Sequence, residues 1–196
     1  MSRVLDHAFG HPQGALGRLG GKLMARGNAG QEARAVEQAA LQPGEQVLVV
    51  GPGPGVGLKL AAGAVAPSGH VIGVEPSAVM RKMAANRAAT EIEQGLVEIR
   101  AGTAEATGCA NASVDAAMSV NNIMLWNLPL GLAELARVLR PRARLVVSVH
   151  RHVLQVPPDE LRDQMAKAGF TDVALSLRKR RFSSPAVELL AHRTDG

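Results

Sequence analysis

Val47-Leu48-Val49-Val50-Gly51-Pro52-Gly53-Pro54-Gly55-Val56-Gly57 is the stretch that decides the fold. Its apolar, mostly β-branched opening reads as a strand buried on both faces, the kind found inside a parallel sheet. The run stops at alternating glycines, which read as a tight turn into a helix. Glycine lacks a Cβ and tolerates positive φ, so such a turn brings a ligand against bare backbone.

Outward from this turn, strands and helices alternate. Leu58 to Ala66 reads as a short helix, and His70 to Val74 as a second strand ending at Glu75-Pro76. Ser77 is a plausible N-cap for a helix through about Ala89. Leu96 to Arg100 and Val114 to Val120 read as the third and fourth strands. Leu130 to Leu139 reads as a helix stopped by Pro141, and Arg144 to Val149 as the fifth strand. Pro158 to Ala168 carries Pro near its start and Gly169 past its end, the usual helix asymmetry. Val173 to Leu177 and Ala186 to His192 are strands joined by a segment too short for a crossover helix, so they should pair antiparallel.

This order predicts an α/β fold. It is a Rossmann-like, doubly wound, seven-stranded sheet, mostly parallel, with an antiparallel C-terminal strand. Residues 1–41 precede the first strand. They carry Gly10, Gly14, Gly17, Gly20 and Gly21 and then a helical stretch from about Gln31 to Leu41. They read as a helical N-terminal cap over the ligand edge, and residues 42–196 as the main domain of one compact unit.

Composition bounds the rest. The 196 residues are 46% hydrophobic, enough for one sizeable core. The net charge is +5, but aromatics make up 2% and tyrosine is absent, so few platforms exist for stacking nucleic-acid bases. Cys109 is the only cysteine, which excludes an internal disulfide and fits a reducing, cytoplasmic setting. No metal site is expected. No secretory h-region or bilayer-length apolar run is present in the sequence given.

The glycines discriminate between ligands. A P-loop needs Gly-Lys-Ser/Thr at its end, but Leu58 separates Gly57 from Lys59 and Leu60 stands at the hydroxyl position. A dinucleotide fingerprint needs Gly-x-Gly-x-x-Gly, and both frames fail, at Val56 and at Leu58. Gly-x-Gly-x-Gly is satisfied by Gly51, Gly53 and Gly55.

With that pattern the chain resembles the class I S-adenosylmethionine-dependent methyltransferases over about residues 42 to 196. Pro43-Gly44 is similar to the approach to that family's first strand, and Ala168-Gly169-Phe170 to the step before its sixth. The resemblance implies S-adenosyl-L-methionine as cofactor. It implies that Gly51, Gly53 and Gly55 form the cofactor loop and that Glu75 binds both ribose hydroxyls. A carboxylate can accept two hydrogen bonds from a diol. Gly102-Thr103-Ala104-Glu105 resembles the family's Gly-Asp-Ala-Glu segment, placing Thr103, Ala104 and Glu105 against the adenine. Asn121 follows the fourth strand, where it would meet cofactor or substrate.

Three departures stand out. Val49 occupies the place where the family usually has an acid. Thr103 replaces an aspartate. Pro141-Arg142-Ala143 replaces Pro-Gly-Gly, losing a residue tolerant of positive φ.

The resemblance implies methyl transfer to a small-molecule acceptor. Ile123-Met124-Leu125-Trp126 would wall its pocket. The alternatives are a non-catalytic S-adenosylmethionine-binding regulator or partner subunit, and an RNA methyltransferase suggested by the basic run Arg178-Lys179-Arg180-Arg181. Nucleic acid is the less favoured partner, no membrane partner is expected, and the chain is read as a monomer or homodimer. His150 and His152 are candidate bases, because imidazole titrates near neutral pH and both follow the fifth strand.

Overall fold

A computed structural model describes the backbone of residues 14–180 and 183–195, and the side chains of residues 27–180 and 184–195. The strands are β1 (Gln46–Val50), β2 (His70–Val74), β3 (Val97–Arg100), β4 (Val114–Val120), β5 (Leu139–His150), β6 (Phe170–Arg180) and β7 (Ser183–Arg193). The helices are α1 (Gly14–Ala39), α2 (Val56–Val65), α3 (Ala78–Arg87), α4 (Ala89–Glu93), α5 (Leu128–Val138) and α6 (Pro158–Lys167), with a 3-10 turn at Ile123–Leu125.

The strands form one seven-stranded sheet in the order β3-β2-β1-β4-β5-β7-β6. The neighbours from β3 to β5 run parallel, while β7 is antiparallel to both β5 and β6. This is the predicted architecture. Side chains alternate across each strand. Leu48 and Val50 pack on the α5 and α6 side, and Val47 and Val49 on the α1 and α2 side.

Local signals account for most boundaries. The Ser77 hydroxyl accepts from the Met80 amide at the start of α3. Asn127 caps α5 in the same way, with Pro129 in its first turn. Asp159 and Glu160 open α6 and Lys167 lies in its last turn, matching the helix dipole. Gly169 follows at φ +94°.

Three boundaries differ from expectation. Helix α1 starts at Gly14, although glycine lowers helix propensity by about 1 kcal/mol each. Residues 1–13 of the expected cap lie outside the described residues. From Ala35 to Ala39, α1 shares a core cluster with β1, α2 and β2, so this part covers a face of the sheet. Strand β5 runs through Pro141, with Arg142 at φ +63° and a register shift between Val114 and Ala116 on β4. The lost glycine is thus replaced by an arginine held in the left-handed region. Strands β6 and β7 reach further toward each other than predicted, so Arg178 and Arg180 belong to β6.

Candidate functional site

In an open parallel sheet, ligands bind beyond the carboxyl ends of the strands, where connections diverge. Here that point lies between β1 and β4, which meet side by side while their following helices cover opposite faces. The loop Gly51–Gly55 leaves β1 there.

Its glycines do different jobs. All three have positive φ: +65° at Gly51, +50° at Gly53 and +85° at Gly55. A Cβ at Gly51 would lie 2.3 Å from the Asn122 side chain, and one at Gly55 2.8 Å from the Ala84 Cα. Those positions are closed by the protein's own packing. A Cβ at Gly53 would meet nothing within 4 Å. Gly53 is therefore the bare backbone turned toward open space, a cradle for a ligand.

Glu75 follows β2 beside this cradle and is 6% exposed. Its Oε2 accepts from the Gly53 amide at 3.1 Å, and its Oε1 from the Ser77 amide at 2.9 Å. Arg81 donates to the Glu75 and Pro76 carbonyls. Strand end, glycine loop and the start of α3 are thereby locked around one carboxylate.

The segment after β3 closes another side. Thr103 is exposed and forms a narrow bridge with Ala106, while Ala104 is buried against the α5 layer. Glu105 Oε1 accepts from the Asn127 amide at 2.6 Å, so its side chain serves the start of α5. Thr107 donates through its amide and its hydroxyl to Glu134. Hydrogen bonds from Arg137 first, and then from Thr107, hold the Glu134 carboxyl down at about 2.

Asn121 follows β4 at φ +52°, a conformation asparagine tolerates better than most residues. Its Oδ1 accepts from the His150 amide at 2.9 Å, and its Nδ2 donates to Gln31 Oε1 at 3.2 Å. Gln31, buried on α1, also donates to Ser148 at 2.8 Å and accepts from Arg180 at 3.0 Å. This polar bundle ties α1, β4, β5 and β6 together, and no motif in the sequence marks Gln31.

β5 ends at His150, and a turn follows, with the Val153 amide donating to the His150 carbonyl. The His150 and His152 rings lie 5.5 Å apart. Arg180 donates to His150 Nδ1 at 2.9 Å, and guanidinium has no acceptor, so Nε2 carries the proton toward Asn28 Oδ1 at 3.3 Å. Burial first, then the charges of Arg180 and His152, lowers the His150 pKa. His152 is exposed.

The Ile123–Trp126 stretch divides. Ile123 is core, Met124 and Trp126 are partly buried against it, and Leu125 is exposed. Trp126 donates to Asn122, which fixes the ring beside the loop's packing partner. Of the basic run, Arg178 pairs with buried Glu188 and Arg180 with the bundle above, while Arg181 lies outside the described residues. Among the described residues no group of His, Cys, Asp and Glu could hold a metal ion, and no helix is long and apolar enough to cross a membrane.

The methyltransferase domain family matches residues 48–147, from inside β1 to inside β5. The chain belongs to that family. Its fold is that of the class I S-adenosylmethionine-dependent methyltransferases. It is 33% identical over 148 residues to an arsenite methyltransferase of Halobacterium salinarum, covering 68% of this chain. It spans 36% of that protein's length and 30% of a second curated relative's. A SAM-dependent methyltransferase from Aquifex aeolicus has the same fold, with a TM-score of 0.71 at 18% identity over 83% of this chain and 89% of that one. Phosphoethanolamine N-methyltransferase 2 of Haemonchus contortus, solved with S-adenosyl-L-methionine, gives a TM-score of 0.72 at 15% identity over 84% and 52% of the two chains. The open cradle at Gly53 and the carboxylate beside it fit that cofactor.

Proposed function

We propose that the chain transfers a methyl group from S-adenosylmethionine to a small-molecule acceptor. The observation that carries this reading is the Gly53–Glu75 contact, a bare amide and a buried carboxylate side by side at the strand ends. In this reading Glu75 accepts from both ribose hydroxyls, Gly53 gives the close approach, and Thr103 and Ala104 flank the adenine. The bound cofactor supplies a methyl already activated by its sulfonium. The protein's task is then to align donor and acceptor and exclude water, which can contribute several kcal/mol.

The partly buried Met124 and Trp126, with exposed Leu125, would form the acceptor wall. A base is needed only where the acceptor must lose a proton. Both nitrogens of His150 already have partners, so His152 is the more available of the two candidates. Trivalent arsenic prefers several soft thiolate ligands, and this chain offers one buried cysteine, Cys109. Arsenite is therefore not the acceptor proposed. The lone cysteine also supports a reducing, cytoplasmic setting.

The test is transfer of labelled methyl from S-adenosylmethionine to fractions of a metabolite extract. Label in a small-molecule fraction supports the reading. Cofactor binding with no transfer to any fraction supports the second reading, a binding partner or regulator, favoured by Val49 standing where an acid was expected. Label in RNA would move the acceptor to nucleic acid.

A further inference from the structure

The inward stripe of α1 changes character along its length. Ala39 and Ala35 pack in the core, and one turn further toward the N-terminus come Gln31, Glu32 and Asn28. These positions recur at helical spacing and lie on one face. The stripe becomes polar where α1 passes the carboxyl ends of β4 and β5.

Glu32 reaches the glycine loop. A Cβ at Gly57 would lie 2.2 Å from Glu32 Oε2, so the carboxylate occupies the space that the missing side chain leaves free. Gly57 lies in the first turn of α2, immediately after the loop. Glu32 is half-buried, with protein packed around its side chain. That desolvation pushes its pKa up to about 8. Among the described residues no donor and no cation answers it. Helices α2 and α3 and strands β4 and β5 pack against α1; on the strands Asp115 pairs with Arg140 and Arg144 with Glu45, while Lys82 on α3 and Arg142 on β5 are exposed. Lys59 pairs with Glu91, Arg81 and Arg87 hold backbone carbonyls, and His150 faces Arg180 and Asn28.

A desolvated, uncompensated carboxylate is costly to keep charged unless a cation arrives. Val49 packs on the same α1 and α2 side of the sheet, so this face has no acid from β1 and one from α1. S-adenosylmethionine carries an ammonium at the end opposite its ribose. Glu75 marks one end of the loop and Glu32 the other.

We propose that the Glu32 carboxylate receives the α-ammonium of S-adenosylmethionine, taking over from the helix the place that Val49 leaves without an acid on β1. This assignment rests on the cofactor reading. Glu32 is mostly protonated at pH 7 without ligand, so binding the ammonium expels about one proton.

The test is calorimetry at pH 7, in two buffers of different ionisation enthalpy, on the full chain and on Glu32→Gln and Glu32→Asp. The ligands are S-adenosylhomocysteine and 5′-methylthioadenosine, which lacks the amino-acid end. The assignment predicts release of about one proton with S-adenosylhomocysteine and none with methylthioadenosine. Glu32→Gln should weaken S-adenosylhomocysteine by about tenfold or more, roughly 1.4 kcal/mol or above. It should abolish the proton release and leave methylthioadenosine unchanged, while Glu32→Asp retains the release. Equal binding of S-adenosylhomocysteine by wild type and Glu32→Gln would overturn the assignment. So would equal losses for both ligands, which would mean a structural role. Wild-type protein binding neither ligand would remove the cofactor reading and this assignment with it.

Discussion

The Gly53 amide donates to Glu75 Oε2 at 3.1 Å, joining the glycine loop to the end of β2. The same carboxylate holds the Ser77 amide, so loop, strand and helix α3 share one anchor. Replacing Glu75 leaves two amides to find other partners, at a cost of about 1–3 kcal/mol each where they stay buried. Glu75→Gln keeps the acceptor oxygen but loses the charge. It should melt closer to wild type than Glu75→Ala does, in thermal denaturation without ligand.

Gly51 and Gly53 should respond differently to the same change. Both have positive φ, so alanine costs roughly 1–2 kcal/mol of backbone strain at either. Only Gly51→Ala also drives a Cβ into Asn122 and disturbs the Asn122–Trp126 hydrogen bond. Gly51→Ala should therefore lower the melting temperature more than Gly53→Ala. Gly53→Ala should show its larger effect on binding of S-adenosylhomocysteine, because its Cβ enters the open cradle.

Glu32 gives a pH signature in the protein without ligand. Its folded pKa is about 8, against an ordinary value of 4.5. Between those values the folded state holds a proton that the unfolded state has released, so stability falls as pH rises through this window. The stabilising contribution is complete below 4.5 and gone above about 8. Glu32→Gln lacks this titration. Its melting temperature should gain on wild type steadily from pH 5 to pH 8, and saturating S-adenosylhomocysteine should narrow the gap.

His150 should stay neutral to lower pH than an ordinary histidine, whose value is 6.5. Nitrogen-edited NMR should show a proton on Nε2 and none on Nδ1. Arg180→Ala removes one of the lowering charges, so the His150 pKa should move up toward the ordinary value. An unchanged titration would show that the Arg180 contact is not made in solution.

Most of the fold was legible because burial on both faces writes itself as runs such as Val47–Val50 and Val114–Val120. The ends of β5, β6 and β7 were not. Pro141 reads as a stop, yet Arg142 takes the left-handed turn that lets the strand continue. In the candidate site, the placement of Gly51, Gly53 and Gly55 beside Glu75 was legible because chain order puts them at strand ends. The split between packing glycines and the open one depends on Asn122 and Ala84, which are distant in sequence. Gln31 and Glu32 were visible only as helix residues. Their partners are Ser148, Asn121 and Gly57, and only the docking of α1 across the sheet brings these together. The inward spacing of Asn28, Gln31, Glu32 and Ala35 was the one signal the sequence held.

The most direct measurement is calorimetric titration of gel-filtered protein with S-adenosylhomocysteine, for wild type and Glu75→Ala. Wild type should bind one-to-one, and the variant should lose about 1–3 kcal/mol, the size of a charged hydrogen-bond pair removed from a desolvated site. Equal affinity in the two proteins, or no binding by wild type, would contradict it.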